Sequence, residues 1–277
     1  MNYEVISMKL VSICPSNTEL LAYLGHIDQL VAVDDFSDWP ISINALPRLG
    51  PDLSIDMDKL ELYEPDLVLA SLSVPGMEKN IAELEKRMIP HLVLNPQSLD
   101  DIAEDLLTVG KACGIEEHAL QIKAEYLLFI EDMKKRAENV EVTPSLYWEW
   151  WPKPVFTPGK INWLTEISAI AGSLNEFRDV ELASVQTDWE DVLNRAPDYI
   201  LLAWVGVRIN KVKKEVVLKR PGWKDLAAVK SDRFSVMEEE LYCRPSPRLL
   251  EGALKLAKMI HPDTYADLQL PEWVRNA

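Results

Sequence analysis

Cysteine is scarce. The 277 residues hold three, Cys14, Cys113 and Cys243, an odd number, far apart and without CxxC spacing. That excludes a disulfide scaffold, a zinc ribbon and a thioredoxin motif, and predicts three reduced, mostly buried thiols. Histidine is scarce too. His26, His91, His118 and His261 show no ligand spacing to one another, so no metal site is expected. The chain has no GxSxG elbow, P-loop, GxGxxG or HExxH, and no evident nucleophile–base pair. It has no run of about 18 apolar residues, so no membrane span is expected. Met1 to Met8 has no basic n-region, apolar h-region or lipobox cysteine, which predicts a cytoplasmic protein as written and an extracytoplasmic one if the start is truncated. Positive charge is also short: 29 basic residues face 45 acidic ones, a net charge of -16. Such a surface repels DNA, RNA and anionic lipid. The one dense basic run, Lys211 to Lys214, is short.

Hydrophobic residues, at 48%, and charged residues, at 27%, are those of a globular protein, and the length suits two domains. Strand and helix signals alternate. Leu10–Ile13, Leu30–Val33, Val68–Ala70 and His91–Leu94 read as strands. Ser16 with Glu19 has capping-box spacing ahead of an apolar segment that Gly25 closes. Ile81–Met88 reads as a helix. This alternation predicts a parallel sheet with helical crossovers. From Ser98 to about Val140 the pattern is helical. Ala119, Ile122, Tyr126, Phe129, Met133, Ala137 and Val140 form one apolar stripe. The alternation then restarts, with strands at Ser145–Trp148 and Ile200–Trp204 and helices at Asn162–Ala171 and Leu249–Ile260.

Two segments match at a constant offset. Ser54-Ile55-Asp56-Met57-Asp58-Lys59-Leu60, running to Glu64-Pro65-Asp66-Leu67-Val68, has a counterpart 132 residues on. It is Gln186-Thr187-Asp188-Trp189-Glu190-Asp191-Val192, running to Ala196-Pro197-Asp198-Tyr199-Ile200. Each reads as an acidic helix start, an apolar helix, Pro-Asp and a buried strand. Two similar α/β lobes follow, one before and one after the long helix. Residues 1–97 form the first, 98–140 the helical segment and 141–277 the second. Clefts between such lobes are where small ligands bind.

Nine tryptophans are an unusual count. Phe36 and Trp39 follow the second strand. Trp148, Trp150, Trp151, Phe156 and Trp163 crowd a proline-rich stretch, and Trp204 ends a strand. Ligands of open α/β sheets bind outside the carboxyl ends of the strands, where aromatic rings can stack on a flat ligand. The bland alternative for each ring is core packing. Tyr242-Cys243-Arg244-Pro245-Ser246-Pro247-Arg248 precedes the last helix. From spacing alone, Arg244 serves equally as a fork for a ligand or in an ion pair with Glu238, Glu239 or Glu240.

Four pieces together resemble a known family. They are Val11-Ser12-Ile13-Cys14-Pro15-Ser16-Asn17-Thr18-Glu19, Glu64-Pro65-Asp66-Leu67-Val68, Phe156-Thr157-Pro158-Gly159-Lys160 and Arg244-Pro245-Ser246-Pro247-Arg248. The family is the substrate-binding proteins of ABC importers for cobalamin, haem and iron-siderophores, with cobalamin-binding proteins most similar. The resemblance spans about Lys9 to Pro262. It implies two Rossmann-like α/β lobes joined by a long rigid backbone helix, with the ligand in the cleft between the lobes. It implies Phe36, Trp150 and Phe156 as ring contacts, and Glu240 with Arg244 as an acid–base pair at the ligand. An aromatic expected after the third strand is Ser71 here, with Trp39 or Trp204 as substitutes. The acidic residues that dock on a permease match Asp58 and Glu190. Acids in a helix's first turn also favour the dipole by about 0.3–1 kcal/mol.

The expected function is non-catalytic binding of a cobalamin-like corrinoid, with haem or a ferric siderophore as alternatives. No intrinsic cofactor is expected. The expected partners are the small-molecule ligand and an ABC permease, and the expected state is a monomer. A reading of another class is a cytoplasmic enzyme acting on a corrinoid through acids such as Glu149 and Glu240.

Overall fold

A computed structural model describes residues 8–276. The chain forms two compact units. One comprises the residues up to Pro96, Asp100–Tyr126 and the residues from Pro271; the other comprises Gln97–Leu99 and Leu127–Leu270.

The first unit is built on a parallel sheet in the order β2-β1-β3-β4, with β1 Leu10–Ser12, β2 Leu30–Val33, β3 Leu67–Ser71 and β4 His91–Leu94. Helices α1 Pro15–Tyr23, α2 Met57–Glu61 and α3 Glu78–Lys86 connect the strands. Val11, Ile13, Ala32, Leu60, Val68 and Leu84 are buried together as its core. The expected capping box does not form. The helix starts two residues earlier, with Pro15 in its first turn and Cys14 as an N-cap without a side-chain bond. Proline suits that position because its missing N–H would be unpaired there anyway. Ser16 and Glu19 are buried inside the helix.

The region expected to be helical from 98 to 140 is two helices, α4 Leu99–Ala112 and α5 Glu116–Ala137. The break falls at Gly114, whose φ of +73° favours a residue without Cβ. Along α5, Ala119, Ile122, Tyr126, Phe129 and Met133 are buried as the stripe predicts. The helix ends before Val140. Its first half belongs to the first unit and its second half to the second.

The second unit has a parallel sheet and a small antiparallel one. The parallel sheet runs β11-β10-β5-β8; the antiparallel one is β6-β7-β9. The strands are β5 Ser145–Glu149, β6 Trp151–Pro152, β7 Val155–Pro158, β8 Leu174–Asn175, β9 Ser184–Thr187, β10 Tyr199–Leu202 and β11 Phe234–Val236. Helix α6 is Trp163–Ile170 and α7 is Trp189–Arg195, and the last long helix is Leu249–Ile260. Gly159 at the end of β7 lies so close to the neighbouring chain that a Cβ would sit 2.2 Å from the Leu182 carbonyl oxygen. Glycine alone fits that turn.

The repeat is a physical device used twice. Asp56 caps α2 by accepting the Lys59 N–H, and Asp188 caps α7 by accepting those of Glu190 and Asp191. Glu64 and Ala196 then take left-handed backbone, at φ 48° and 51°. Past the proline, Asp66 accepts the Lys9 N–H at 2.7 Å and Asp198 accepts that of Ser145 at 2.9 Å. Each Pro-Asp thus pins the start of β1 or β5 beside the strand it opens, in parallel register.

Candidate functional site

Because each main sheet is parallel, its strands end on one edge, where open α/β sheets bind ligands. The candidate residues follow those ends, unit by unit.

In the first unit, β2 runs into Asp34, which is fully buried. One of its carboxylate oxygens accepts the backbone N–H groups of Phe36 at 2.7 Å and Ser37 at 3.0 Å. The Arg48 guanidinium bonds the carbonyl oxygens of Asp34 and Ser37 from outside the turn. The backbone of Phe36 is therefore held by hydrogen bonds while the residue as a whole is 51% exposed. Trp39 is half-buried, its ring 5.1 Å from that of Tyr23. Tyr23 in turn meets Trp273 edge-on at 5.5 Å. Ser71 is the last residue of β3 and its hydroxyl bonds Ser73.

In the second unit, Trp150 follows β5 and its N–H bonds the Phe156 carbonyl at 2.8 Å. The Trp150 ring lies 5.9 Å from that of Trp163. Its indole N–H and the Thr157 hydroxyl are buried and have no hydrogen-bond partner. Phe156 is half-buried on β7, opposite Trp151. Strand β10 ends at Leu202, two residues short of the expected Trp204. Trp204 packs in the core of this unit with 9% of its surface exposed. Its indole N–H donates to Glu149 at 3.2 Å.

Glu149 has no free lone pair. Its carboxylate accepts from the Tyr147 hydroxyl, from Trp204 and twice from Arg220, and it is fully buried. Four donors use the whole acceptor capacity of a carboxylate. The enzyme reading, which assigned Glu149 an acid role, loses that residue to a structural ion pair.

Arg244 pairs with Glu239. Nε and one terminal nitrogen of Arg244 both lie 3.1 Å from the same Glu239 oxygen. The other Glu239 oxygen accepts the Gly206 N–H at 3.3 Å, which ties the pair to the turn after β10. Burial pushes the Glu239 carboxyl up, and the Arg244 charge works against that. Glu240 is half-buried at the next position. Burial also pushes the Cys14 thiol up to about 11 and the Cys243 thiol well above its ordinary value. Such thiols are protonated and are weak nucleophiles. Among the described residues there is no group of three or more His, Cys, Asp or Glu placed to hold a metal ion. No helix among them is long and apolar enough to cross a membrane.

Asp58 and Glu190 occupy equivalent places in the first turns of α2 and α7, and both are exposed. Asp58 bonds Arg87 at 2.7 Å, and Arg87 also holds Glu61.

Two residues that organise these edges, Asp34 and Arg220, are not marked in the sequence reading, whereas Glu239 is one of the three acids it names for Arg244. Asp34 had a local signal, since Asp before a turn tends to bond N–H groups two and three residues on. Arg220 lies 71 residues from Glu149 and had none.

The chain belongs to the periplasmic binding protein family, whose model matches residues 10–241. It is 30% identical over 269 residues to an uncharacterised ABC transporter substrate-binding lipoprotein, YvrC, of Bacillus subtilis, covering 94% of this chain and 82% of that protein. Solved structures share the fold. The periplasmic vitamin B12 binding protein BtuF of Vibrio cholerae superposes with a TM-score of 0.75 at 21% identity, covering 94% of this chain and 98% of that one. The periplasmic haem-binding protein RhuT of Roseiflexus sp. RS-1 gives 0.80 at 20% identity, covering 93% and 99%.

Proposed function

We propose that this member of the periplasmic binding protein family binds a corrinoid of the cobalamin class without changing it chemically and hands it to an ABC permease. The observation that carries the reading is Phe36: a large aromatic residue left half in solvent on a backbone pinned by Asp34. A rigid exposed aromatic ring at a strand's carboxyl end is a stacking platform for a flat ligand. Trp150 and Phe156, after β5 and on β7, are the second unit's candidate ring contacts. Arg244, paired with Glu239, is the cation that the resemblance assigns to the ligand. Support also comes from the vitamin B12 binding of BtuF and from the description of YvrC as a substrate-binding lipoprotein.

Haem binding is the second reading, favoured by the likeness to RhuT. Haem iron takes an axial ligand from the protein, and Phe36, Trp39, Trp150, Phe156 and Trp204 offer none. His91 and His261 are bonded to the carbonyls of Ile89 and Gly172 instead. A ligand whose metal brings its own coordination fits these rims better. The importer role places the protein outside the cytoplasmic membrane.

The test is to incubate the full chain separately with cobalamin, cobinamide, haem and a ferric hydroxamate siderophore, and then gel-filter each mixture. Co-elution of the corrinoids, recovered chemically unchanged, supports the reading. Haem or siderophore alone co-eluting, or a converted corrinoid, overturns it.

A further inference from the structure

Beneath Phe36 runs a chain of buried oxygen atoms. The Ser12 hydroxyl lies 3.0 Å from the Cys14 carbonyl oxygen. The Thr18 hydroxyl lies 2.8 Å from that of Ser12 and 2.8 Å from that of Ser37. The Ser37 hydroxyl reaches the Asp34 carboxylate oxygen that the backbone N–H groups leave free. Ser12, Cys14, Thr18, Asp34 and Ser37 are all buried. Asn17 ties the same helix start to β3 by donating to the Ala70 carbonyl at 3.0 Å.

The protons can be counted. Four short contacts link Cys14, Ser12, Thr18, Ser37 and Asp34 in series, and a longer one, at 3.4 Å, runs from the Thr18 hydroxyl to the same Cys14 carbonyl. Three hydroxyls bring three protons, and the Cys14 carbonyl only accepts. With Asp34 ionised, one contact has no proton to fill it. With a proton on the outer Asp34 oxygen all four short contacts fill, each group donating to the next down to Cys14. That proton has a cost at the other end of Asp34. The bonds from the Phe36 and Ser37 N–H groups cease to be charge-assisted, and such bonds are roughly twice as strong as neutral ones.

We propose that Asp34 is the positioning residue for Phe36, and that its ionised form holds the ring ready for ligand while its protonated form loosens the turn and weakens binding. The proposal rests on the reading of Phe36 as a ligand contact. Burial pushes the Asp34 carboxyl up to about 6, with the Ser37 hydroxyl and the Phe36 N–H pulling it down and the Asp52 charge pushing it up. The turn itself carries Asp35 and Asp38. The packed segments bring Asp52, the permanent charge of Arg48, the Cys14 thiol and, on α1, the buried acid Glu19. Substitution at position 34 separates these titrations from that of Asp34.

The experiment measures cyanocobalamin affinity of the full chain by calorimetry between pH 5 and pH 8. Beside it, the amide shifts of Phe36 and Ser37 are followed by NMR without ligand. In the unsubstituted protein the Kd should rise about three- to tenfold on going from pH 7.5 to pH 5, with one inflection that the two amides share. Asp34→Asn keeps the backbone bonds and supplies the missing proton from its amide. It should bind with the weaker, acid-side affinity at every pH and show no amide inflection. Ser37→Ala removes a hydroxyl that stabilises the carboxylate, so its inflection should move to higher pH. Flat amide shifts in the unsubstituted protein, or an inflection that survives in Asp34→Asn, would overturn the proposal whether or not cobalamin binds. Phe36→Ala binding as tightly as the unsubstituted protein would instead remove the reading of Phe36 on which it rests.

Discussion

Glu149 accepts the indole N–H of Trp204 at 3.2 Å while the Arg220 guanidinium grips the same carboxylate with two nitrogens. The direction of the Trp204 ring at the end of β10 is thus set by a buried ion pair. Only 8% of the Arg220 side chain is exposed and none of that of Glu149. Glu149→Gln leaves the guanidinium buried without its counter-charge, and breaking such a pair costs about 3–5 kcal/mol. Urea unfolding should show a loss of that order, with a red-shifted tryptophan emission. A loss below about 1 kcal/mol would show that the pair behaves like a surface one.

Arg244 gives a contrasting case. Arg244→Lys keeps the charge near Glu239 but loses the planar fork that meets one carboxylate oxygen through two nitrogens. Cobalamin affinity should fall about tenfold, which is about 1.4 kcal/mol, while the melting temperature moves by no more than about 2 °C. A sharp fall in melting temperature with unchanged affinity would make Arg244 structural only.

Asp105 on α4 sets a pH dependence of stability. Burial, then the charges of Asp101 and Glu104, pushes its carboxyl up to about 7. The folded state therefore binds this proton more tightly than the unfolded state, where the carboxyl ionises near 3.9. Its stabilising contribution is complete below about 4 and is lost as pH rises towards about 7. Asp105→Asn should raise the melting temperature at pH 8 and leave it nearly unchanged at pH 4. An equal shift at both pH values would contradict the assignment.

Asp58 and Glu190 present equivalent charges, each from its own unit's copy of the repeated helix start, and the proposed docking on a permease would use both. The Asp58→Ala, Glu190→Ala double variant should lose permease binding and keep ligand affinity. Stability should hardly change, because Asp58 is 87% exposed and exposed ion pairs such as Asp58–Arg87 contribute about 0–1 kcal/mol. Permease binding by the unsubstituted protein should weaken with salt. Salt-insensitive binding that survives the double substitution would remove these acids from the interface.

Much of the fold was legible because its signals are local. Leu30–Val33, His91–Leu94 and Leu249–Ile260 fold over the residues that their patterns mark. The repeat is legible because Asp56 and Asp188 cap within three residues of themselves, and because Pro-Asp acts on the next strand. The start of α1 was misjudged where two local rules compete: Ser16 has cap spacing, but Pro15 takes the first turn. Gly114 carries no visible break signal, because the apolar period continues on both sides of it. Around the candidate site the limits are those of distance. Glu238, Glu239 and Glu240 are indistinguishable in sequence, and only the folded turn puts Glu239 on Arg244. The Asp34 network needs β1, α1 and the segment after β2 brought together.

Calorimetric titration of cyanocobalamin into the full chain and into Phe36→Ala and Trp150→Ala decides whether these rings hold a corrinoid. One corrinoid should bind per chain, with each substitution weakening binding by about 1–3 kcal/mol as anchoring aromatics do. No binding heat with the unsubstituted protein, or unchanged affinity in both variants with the fold intact, would contradict it.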